Sequence, residues 1–330
     1  MIEKWLITGG SGFIGTNLVE NLIKNNMINF INIDKNNPPV KSHRKYWKEC
    51  NILDEITLNM YFKDFSPTHV LHLAARTDTD CNSIEDYKDN TIGTVNVLNA
   101  IKNTPSITRA IFTSTQYVYR PGNKVPKHDE DYDPHTTYGE SKVLNEIAIR
   151  QFDTRCVWTI IRPTNIWGPW HLRYRDEFLK IMFQGRYLHP GSHPVIRSYG
   201  YVGNVVHQIY KILHAPEKLV HRQVYYVGDP PLRLIDWVNS FSQKVHGKNV
   251  RIIPRIFVRG IALLGDFFKL IGITFPITTS RYVSMTQDYL TPMDKTIDNF
   301  GPSLFSLEAG VSETINWLKS NESIDFKNNN

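Results

Sequence analysis

Short apolar runs alternate with segments of helical periodicity through the first half of the chain. Predicted strands are KWLIT (4–8), INFINID (28–34), THVLHLAA (68–75), RAIFTST (109–115) and VWTIIRP (157–163). Predicted helices between them are 16–26, 84–102 and 137–152. Continuous apolar strands separated by helices are typical of a parallel sheet covered on both faces. The fold class is therefore predicted to be α/β, with a doubly wound parallel sheet of the Rossmann type.

The second half of the chain lacks this regular alternation. We expect a nucleotide-binding domain over 1–167, to which return segments at about 197–230 are added. A smaller C-terminal substrate domain is expected from 168–196 and 231–330.

Composition and charge exclude several classes of protein. The 330 residues carry 38 Lys and Arg against 32 Asp and Glu, a net charge of +6 without a dense basic stripe, so no nucleic-acid partner is predicted. Cys50, Cys81 and Cys156 fit no zinc spacing and no disulfide framework, so we expect no metal site and a reducing compartment. The start of the chain lacks a signal-peptide pattern, and a cytoplasmic location is predicted.

A glycine-rich turn, TGGSGFIG, follows the first strand. Gly9 suits the tight turn, Gly12 allows the backbone to approach a pyrophosphate, and Gly15 lets the next helix sit close to the sheet. Asp34 ends the second strand, at the spacing of an acid that binds both ribose hydroxyls and repels a 2′-phosphate. NAD is therefore favoured over NADP, although the neighbouring Lys35 weakens that preference slightly.

A second set of polar residues suggests acid–base chemistry. Tyr138 and Lys142 lie four residues apart in YGESK, which places them on one face of a helix. A nearby ammonium favours the phenolate form, so we expect the pKa of Tyr138 to be lowered. Thr113, Ser114 and Thr115 end a strand together, and three buried hydroxyls are costly without a task.

These motifs together resemble the extended short-chain dehydrogenase/reductases, the NAD-dependent sugar epimerases and dehydratases that include UDP-glucose 4-epimerase. The chain segments TGGSGFIG, TSTQYVY, YGESK and RPTNIWGP resemble the family patterns TGxxGxxG, S-S/T-x-x-V-Y, YGxSK and RPxNxYGP. The resemblance covers nearly the whole chain. It implies an NAD-dependent enzyme that acts on a sugar joined to a diphosphate carrier, and a homodimer that pairs helices 84–102 and 137–152.

The resemblance also assigns roles to individual residues. Catalysis is assigned to Thr115, Tyr138 and Lys142. NAD contacts are implied for Gly9, Gly12, Phe13, Ile14, Gly15, Asp34, Asn51, Ile52, Leu73, Ala74, Ala75, Asn90, Ser114, Tyr138, Lys142 and Pro163. Substrate contacts are implied for Thr115, Gln116, Asn165, Arg197 and Arg281. Two positions depart from the family: Asn51 replaces an aspartate beside the adenine, and Arg281 lacks the surrounding R-x-G-D.

The pair Gln116 and Tyr117 separates the reaction types. Sugar dehydratases of the family carry Asp-Glu at these positions. Gln116 and Tyr117 cannot act together as a general acid and base at neutral pH. We therefore predict an epimerase of a nucleotide-activated sugar, which oxidises C4 transiently and returns the hydride. Three alternatives stay open: a 4-epimerase of a polyprenyl-diphosphate-linked sugar, an NAD(P)H-dependent keto-sugar reductase and, ranked last, a non-catalytic NAD-sensing regulator.

The segment 255–271 has an unusually wide apolar face. On a helix, Arg255, Arg259, Asp266 and Lys269 fall within an arc of about 80°, and the rest is apolar or glycine. The favoured interpretation is a helix buried in the substrate domain or in a dimer contact. The other is an interfacial helix that touches the inner face of a membrane beside a lipid-linked substrate.

Overall fold

A computed structural model describes residues 2–270 and 277–321 of the chain, with the backbone alone for Lys269 and Leu270. Its strands are β1 Trp5–Thr8, β2 Phe30–Asp34, β3 Trp47–Glu49, β4 His69–His72, β5 Arg109–Thr113, β6 Val157–Pro163, β7 Asn165–Trp167, β8 Leu188–Pro190, β9 Ile196–Arg197, β10 Tyr199–Tyr201, β11 Gln223–Val227, β12 Leu232–Arg233 and β13 Arg251–Ile253.

The helices, including several short ones, follow the same chain order. They are α1 Phe13–Lys24, α2 Glu55–Phe65, α3 Ile92–Lys102, α4 Thr137–Gln151, α5 Leu172–Tyr174, α6 Lys180–Phe183, α7 Val202–His214, α8 Glu217–Val220, α9 Leu234–His246, α10 Arg255–Leu270, α11 Thr279–Thr286, α12 Asp294–Phe300 and α13 Leu307–Asn321. A π-helical turn, Arg175–Leu179, joins α5 to α6, and 3₁₀ turns occur at Lys41–Tyr46, Ile84–Tyr87 and Gln116–Val118.

Seven parallel strands form the central sheet in the order β11-β6-β5-β4-β1-β2-β3. Both faces are covered: in β1, Ile7 belongs to one apolar core and Leu6 to the other, and both side chains are buried. The predicted doubly wound α/β sheet is thus confirmed. The strand order reverses between β1 and β4, and ligands of such sheets bind at the carboxyl edge beside that point.

One predicted helix is divided in two. The segment 84–102 contains the 3₁₀ turn Ile84–Tyr87 and then α3, which begins at Ile92. The buried side chain of Asn90 accepts a hydrogen bond from the backbone N–H of Arg76 at 2.8 Å and donates to the Arg76 carbonyl at 3.0 Å. This tertiary contact fixes the chain between the two pieces, so a single long helix does not form.

The carboxyl edge of the sheet is covered by the less regular part of the chain. Three two-stranded pairs, β10-β7, β12-β9 and β13-β8, lie there with α9, α10 and α11. Residues 202–227 return to the sheet as α7 and β11. The division into a nucleotide-binding domain and a substrate domain stays a prediction. Across residues 2–270 and 277–321, none of the helices is both long and apolar enough to cross a bilayer.

Candidate active site

The turn between β1 and α1 admits only glycine at two positions. Gly9 has a φ of +75°, and a Cβ there would lie 2.5 Å from the backbone nitrogen of Ala74. A Cβ on Gly15 would lie 2.4 Å from the carbonyl oxygen of Gly9. Gly12 offers no side-chain cap to α1. The first N–H groups of the helix therefore face the cleft as an anion site, which fits the pyrophosphate of NAD.

Asp34 is held at the adenosine end of this cleft. Its carboxylate accepts hydrogen bonds from the backbone N–H groups of Ser11 at 3.0 Å and Asn36 at 2.9 Å. Burial raises the pKa of Asp34, and these two N–H groups oppose that rise. The neighbouring Lys35 forms an ion pair with Asp89 at 2.9 Å. The lysine is thus engaged elsewhere, which strengthens the preference for NAD.

The predicted catalytic pair lies on α4, which is capped at its N-terminus by Thr136 through a 3.0 Å hydrogen bond from Gly139. Tyr138 is 7% exposed and Lys142 is 1% exposed, and both line the cleft. Lys142 Nζ donates to the carbonyl of Thr113 at 2.9 Å. Thr115 also lines the cleft, and its hydroxyl acts to lower the pKa of the Tyr138 phenol. Helix α4 and the end of β5 thus bring base, cation and hydroxyl together as predicted.

The pKa of Tyr138 differs from the sequence-based expectation. Burial raises it above its usual value, and the hydroxyl of Thr115 lowers it only in part. Burial also lowers the pKa of Lys142 to about 8, against the opposing charge of Glu146. The lysine donates to the Thr113 carbonyl and not to the phenol. The predicted lowering of the Tyr138 pKa is therefore not provided by these side chains.

Most predicted ligand-binding residues meet in one cleft of about 1880 Å³. Those that line it are Gly9, Gly12, Phe13, Ile14, Gly15, Asp34, Asn51, Ile52, Leu73, Ala74, Ala75, Ser114, Thr115, Tyr138, Lys142, Pro163, Asn165, Arg197 and Arg281. The cleft runs from Asp34 past the catalytic pair to α11. It has room for a dinucleotide and a sugar derivative end to end.

Two predicted site residues lie outside the lining of this cleft, and the contacts assigned to them stay a prediction. Asn90 is fully buried and donates to Ser141 Oγ at 2.9 Å, so it supports α4 and does not line the cleft. Gln116, which begins a 3₁₀ turn, is 1% exposed and also lies outside the lining, and among the described residues its amide atoms have no hydrogen-bond partner. Tyr117, the next residue, lines the cleft instead.

An aromatic wall at the sugar end was missed from the sequence. Tyr199 and Trp237 stack with ring centroids 4.6 Å apart and planes 10° apart. Tyr289 donates from its hydroxyl to the carbonyls of Gln116 at 2.9 Å and Tyr119 at 2.7 Å. These rings come from segments that are far apart in the sequence and show no regular helix or strand pattern. In the sequence, the wall could have been suspected from the high density of aromatic residues after position 167.

The two substrate arginines have different surroundings. Arg197 is 6% exposed, and its guanidinium donates to the carbonyl of Gln287 at 3.2 Å and lies over the Tyr289 ring at 5.5 Å. Among the described residues, its Nε has no hydrogen-bond partner. Arg281, in contrast, forms an ion pair with Glu177 at 2.6 Å. A buried cation with spare donors suits a phosphate group, so Arg197 is the stronger anion site.

Helix α10 shows a continuous apolar stripe on its outer surface. The exposed fractions are 70% for Ile256, 63% for Phe257, 58% for Leu263, 57% for Leu264 and 58% for Phe267. At about 100° per residue, these five side chains fall within an arc of about 120° on one face of the helix. Within the described chain, α10 is therefore not buried in the substrate domain, while the dimer contact, the other part of the favoured interpretation, stays a prediction.

The cations of α10 divide between its two sides. Arg255 was expected on an outer polar face, but its side chain packs on the loop at Gly191, where a Cβ would lie 3.0 Å from Arg255 Cγ. Arg259 is exposed, as predicted. The Lys269 side chain and residue 271 of the predicted segment lie outside the described residues.

A glycine-rich nucleotide turn beside a buried Tyr–Lys pair defines a class of protein, the NAD-dependent enzymes that oxidise and reduce an alcohol carbon. Residues 5–228 match the family described as NAD dependent epimerase/dehydratase, and the chain belongs to that family. Its extended short-chain dehydrogenase/reductase type, its NAD cofactor and its sugar-epimerase class, all predicted from the sequence, are thereby confirmed.

Individual relatives agree with this assignment. An Escherichia coli O157:H7 protein, N-acetyl-alpha-D-glucosaminyl-diphospho-ditrans,octacis-undecaprenol 4-epimerase, is 31% identical over 258 residues, 75% of this chain and 74% of the relative. The fold matches UDP-glucose 4-epimerase from Thermotoga maritima with a TM-score of 0.72 at 21% identity, covering 96% of this chain and 99% of the other. It also matches dTDP-glucose 4,6-dehydratase from Bacillus anthracis, solved with NAD, with a TM-score of 0.72 at 22% identity over 97% of each chain.

Proposed function

We propose that this epimerase inverts C4 of a hexose joined to a polyprenyl diphosphate, and that it does so at the cytoplasmic face of a membrane. The observation that carries the proposal is the outward apolar stripe of α10. Helix α10 packs against α11, and Ser280 and Arg281 of α11 line the cleft. A lipid contact there would lie beside the mouth of the substrate site. The Escherichia coli relative, named for an undecaprenol-linked sugar, supports this choice of carrier.

The chemistry at C4 falls to three side chains. Bound NAD would supply the hydride acceptor, and then the hydride donor, for the sugar carbon. Tyr138 accepts the proton of the C4 hydroxyl and later returns it, as a general base and then a general acid. Thr115 orients the same oxygen, and Lys142, held by the Thr113 carbonyl, keeps two donor protons for the ribose of NAD. Because Gln116 is an amide and Tyr117 is a phenol, elimination of water has no acid–base pair at neutral pH.

Arg197 is assigned to the diphosphate of the substrate. Its side chain is buried in the cleft wall and keeps a donor without a protein partner among the described residues. Guanidinium groups match the geometry of phosphate oxygens and keep their charge at all working pH values. Asn165 also lines the cleft. It lies on β7 and pairs with Tyr199 of β10, which is two residues after Arg197. Arg197 and Asn165 would hold the carrier end while the sugar turns over beside Tyr138.

The stripe on α10 suits a lipid surface better than water. Five large apolar side chains on a single face are each more than half exposed, and such patches mark interaction sites. Arg259 lies at the flank of the stripe and would add about 1 kcal/mol of attraction to anionic head groups. Asp266, on the same flank, accepts the N–H of Thr279 at 3.1 Å and opposes that attraction. We therefore infer a reversible, salt-sensitive contact and not a stable anchor.

A second apolar surface suits another copy of the chain. Helices α3 and α4 are neighbours, and they expose Ile92 by 49%, Val95 by 42%, Leu144 by 46% and Ile147 by 37%. Pairing of these helices between two copies would bury this surface. We propose a homodimer formed through α3 and α4, which leaves the cleft and α10 free in each protomer.

Substrate tests decide the carrier. The purified full chain would be incubated with undecaprenyl diphosphate-N-acetylglucosamine in detergent, with UDP-N-acetylglucosamine and with UDP-glucose, and the released sugar analysed by chromatography. We expect kcat/KM for the lipid-linked sugar to exceed that for either nucleotide sugar by at least tenfold. Turnover restricted to nucleotide sugars would overturn the carrier. Loss of water from the sugar, or stoichiometric consumption of added NADH, would overturn the epimerase reaction.

A further inference from the structure

Helix α4 carries a third buried charge in line with its catalytic pair. Tyr138, Lys142 and Glu146 follow each other at intervals of four residues, which places them on one face of the helix. The side chain of Glu146 is 0% exposed. The proposed reaction uses the first two residues and leaves the carboxylate without a task.

Glu146 is gripped by an equally buried arginine from β6. Arg162, 1% exposed, donates from Nε to Glu146 Oε1 at 2.8 Å and from Nη2 to Oε2 at 2.7 Å. Tyr132 donates to the same carboxylate at 3.0 Å. Arg162 also donates to the Tyr226 hydroxyl at 3.1 Å and to the Asp129 carbonyl. One ion pair thus ties α4 to β6, to β11 and to the loop before α4.

Such a pair is a poor way to gain stability alone. Moving two charges out of water costs several kcal/mol per ion, and replacing a buried pair by apolar groups of similar volume is often neutral or stabilising. A pair of this kind on the catalytic helix, four residues beyond Lys142, therefore points to a role in the reaction. The ion pair also lies close to the cleft, because Pro163, the residue after Arg162 on β6, lines it.

We propose that Glu146 is a positioning residue: clamped by Arg162, it fixes α4 against β6 and keeps the buried Lys142 in its charged form. The inference rests on the proposed roles of Tyr138 and Lys142. Burial lowers the pKa of Lys142 to about 8, and Glu146 is the group that raises it. Without the carboxylate, the ammonium would lose its proton at a lower pH.

The other titratable groups around this cluster do not replace Glu146. His72, on β4, faces Lys142, and burial lowers its pKa to about 3, so it is neutral. Burial raises the pKa of Tyr132 to about 12. Arg150 lies 3.9 Å from Glu146 and adds positive charge. Tyr226 binds Arg162, and the Asp129 carboxylate pairs with Lys295 at 3.5 Å. Among the described groups, Glu146 is thus the carboxylate that balances Lys142.

The test uses two variants and a matched control. Glu146→Gln keeps shape and removes the charge. The double variant Glu146→Leu with Arg162→Met removes both charges and keeps an apolar contact, so that it can fold even where the single variant does not. Glu140→Gln makes the same change on the exposed face of α4. Each would be measured for kcat and KM between pH 6 and 10 on the substrate that the wild type turns over, and for NAD⁺ affinity by tryptophan fluorescence over the same range.

A positioning role predicts a change in the shape of the pH profile. In both Glu146 variants, the alkaline fall of kcat and of NAD⁺ affinity should move to lower pH by about half a unit or more, and kcat at pH 8 should drop at least about twofold with a smaller change in KM. Glu140→Gln should match the wild type. A wild-type profile in the folded double variant would overturn the proposal. Should Tyr138→Phe remain active, the proposed function would fail separately.

Discussion

Lys142 reaches across from α4 and donates a 2.9 Å hydrogen bond to the main-chain carbonyl of Thr113, at the end of β5. Helix α4 and the end of β5 are therefore joined two residues before Thr115, the hydroxyl to which a catalytic role is proposed. The bond leaves Lys142 with two further donor protons, which suit the ribose hydroxyls of a bound cofactor.

Turnover should fall at alkaline pH because of this lysine. Burial lowers the pKa of Lys142 to about 8, so its ammonium is present below that pH and is lost as the pH rises through it. Above the pKa, kcat should decrease about tenfold per pH unit, as expected for loss of one required proton. A pH–rate profile between 6 and 10 measures this, and constant turnover up to pH 10 would contradict the assignment.

The change Tyr138→Phe should remove the acid–base group and little else. Turnover is expected to fall by about two to four orders of magnitude, the usual range for such a group. Affinity for NAD⁺ should stay within a few-fold of the wild type. Tyr61→Phe, on the partly buried surface of α2, is the control for a lost phenol. Near-normal turnover in Tyr138→Phe would show that another group moves the proton.

Replacing Asp34 by serine should weaken NAD binding. The carboxylate is positioned by two backbone N–H groups, and hydrogen bonds to a charged group are worth about 1.5–3 kcal/mol each, so a loss of roughly 10- to 100-fold is expected. Isothermal titration with NAD⁺ measures the loss. Asp64→Ser removes an exposed carboxylate from α2 and should have no effect. Unchanged affinity in Asp34→Ser would disprove the ribose contact.

The stripe on α10 should bind anionic vesicles at low salt. A variant with Phe257→Ser and Phe267→Ser loses two of its large side chains and should float with vesicles at least several-fold less, while its fold is unchanged because both positions are exposed. Ile56→Ser changes an equally exposed residue, 85% accessible, on α2. Flotation at low and high salt makes the comparison, and no binding of the wild type at low salt would exclude the membrane contact.

The proposed dimer makes a separate prediction. Leu144→Asp places a charge in the α3–α4 surface and should convert the dimer to a monomer in light scattering after gel filtration. Leu304→Asp, at a position 60% exposed away from these helices, should remain dimeric. A wild-type monomer at micromolar concentration would refute the dimer directly.

Local patterns were enough to predict five of the seven strands of the sheet and the nucleotide turn, whereas β3 and β11 were missed. VWTIIRP forms a strand with the predicted bounds because its burial and β-branched residues favour the same structure. Gly9 and Gly15 could be assigned from spacing, since their roles depend on backbone geometry within one strand–turn–helix unit. The Tyr–Lys pair depends on a single helix face and was likewise visible.

Features that depend on tertiary contacts escaped prediction. Gln116 is buried at the start of a 3₁₀ turn of three residues, and the ring of Tyr289 reaches that turn from 173 positions away. The pKa of Tyr138 depends on how deeply the finished fold buries the phenol. The side chain of Arg255 follows the loop at Gly191, which no helical periodicity could indicate.

The ion pair between Lys35 and Asp89 bears on how readily this enzyme could change cofactor. To bind the 2′-phosphate of NADP, the site would have to lose the carboxylate of Asp34, which repels the phosphate, and to gain a cation that attracts it. Loss of Asp34 alone would meet the first need, but Lys35 would stay committed to Asp89. A change from NAD to NADP would then need two substitutions, one at Asp34 and one at Asp89 that releases Lys35. A single mutation would therefore not reverse the coenzyme preference.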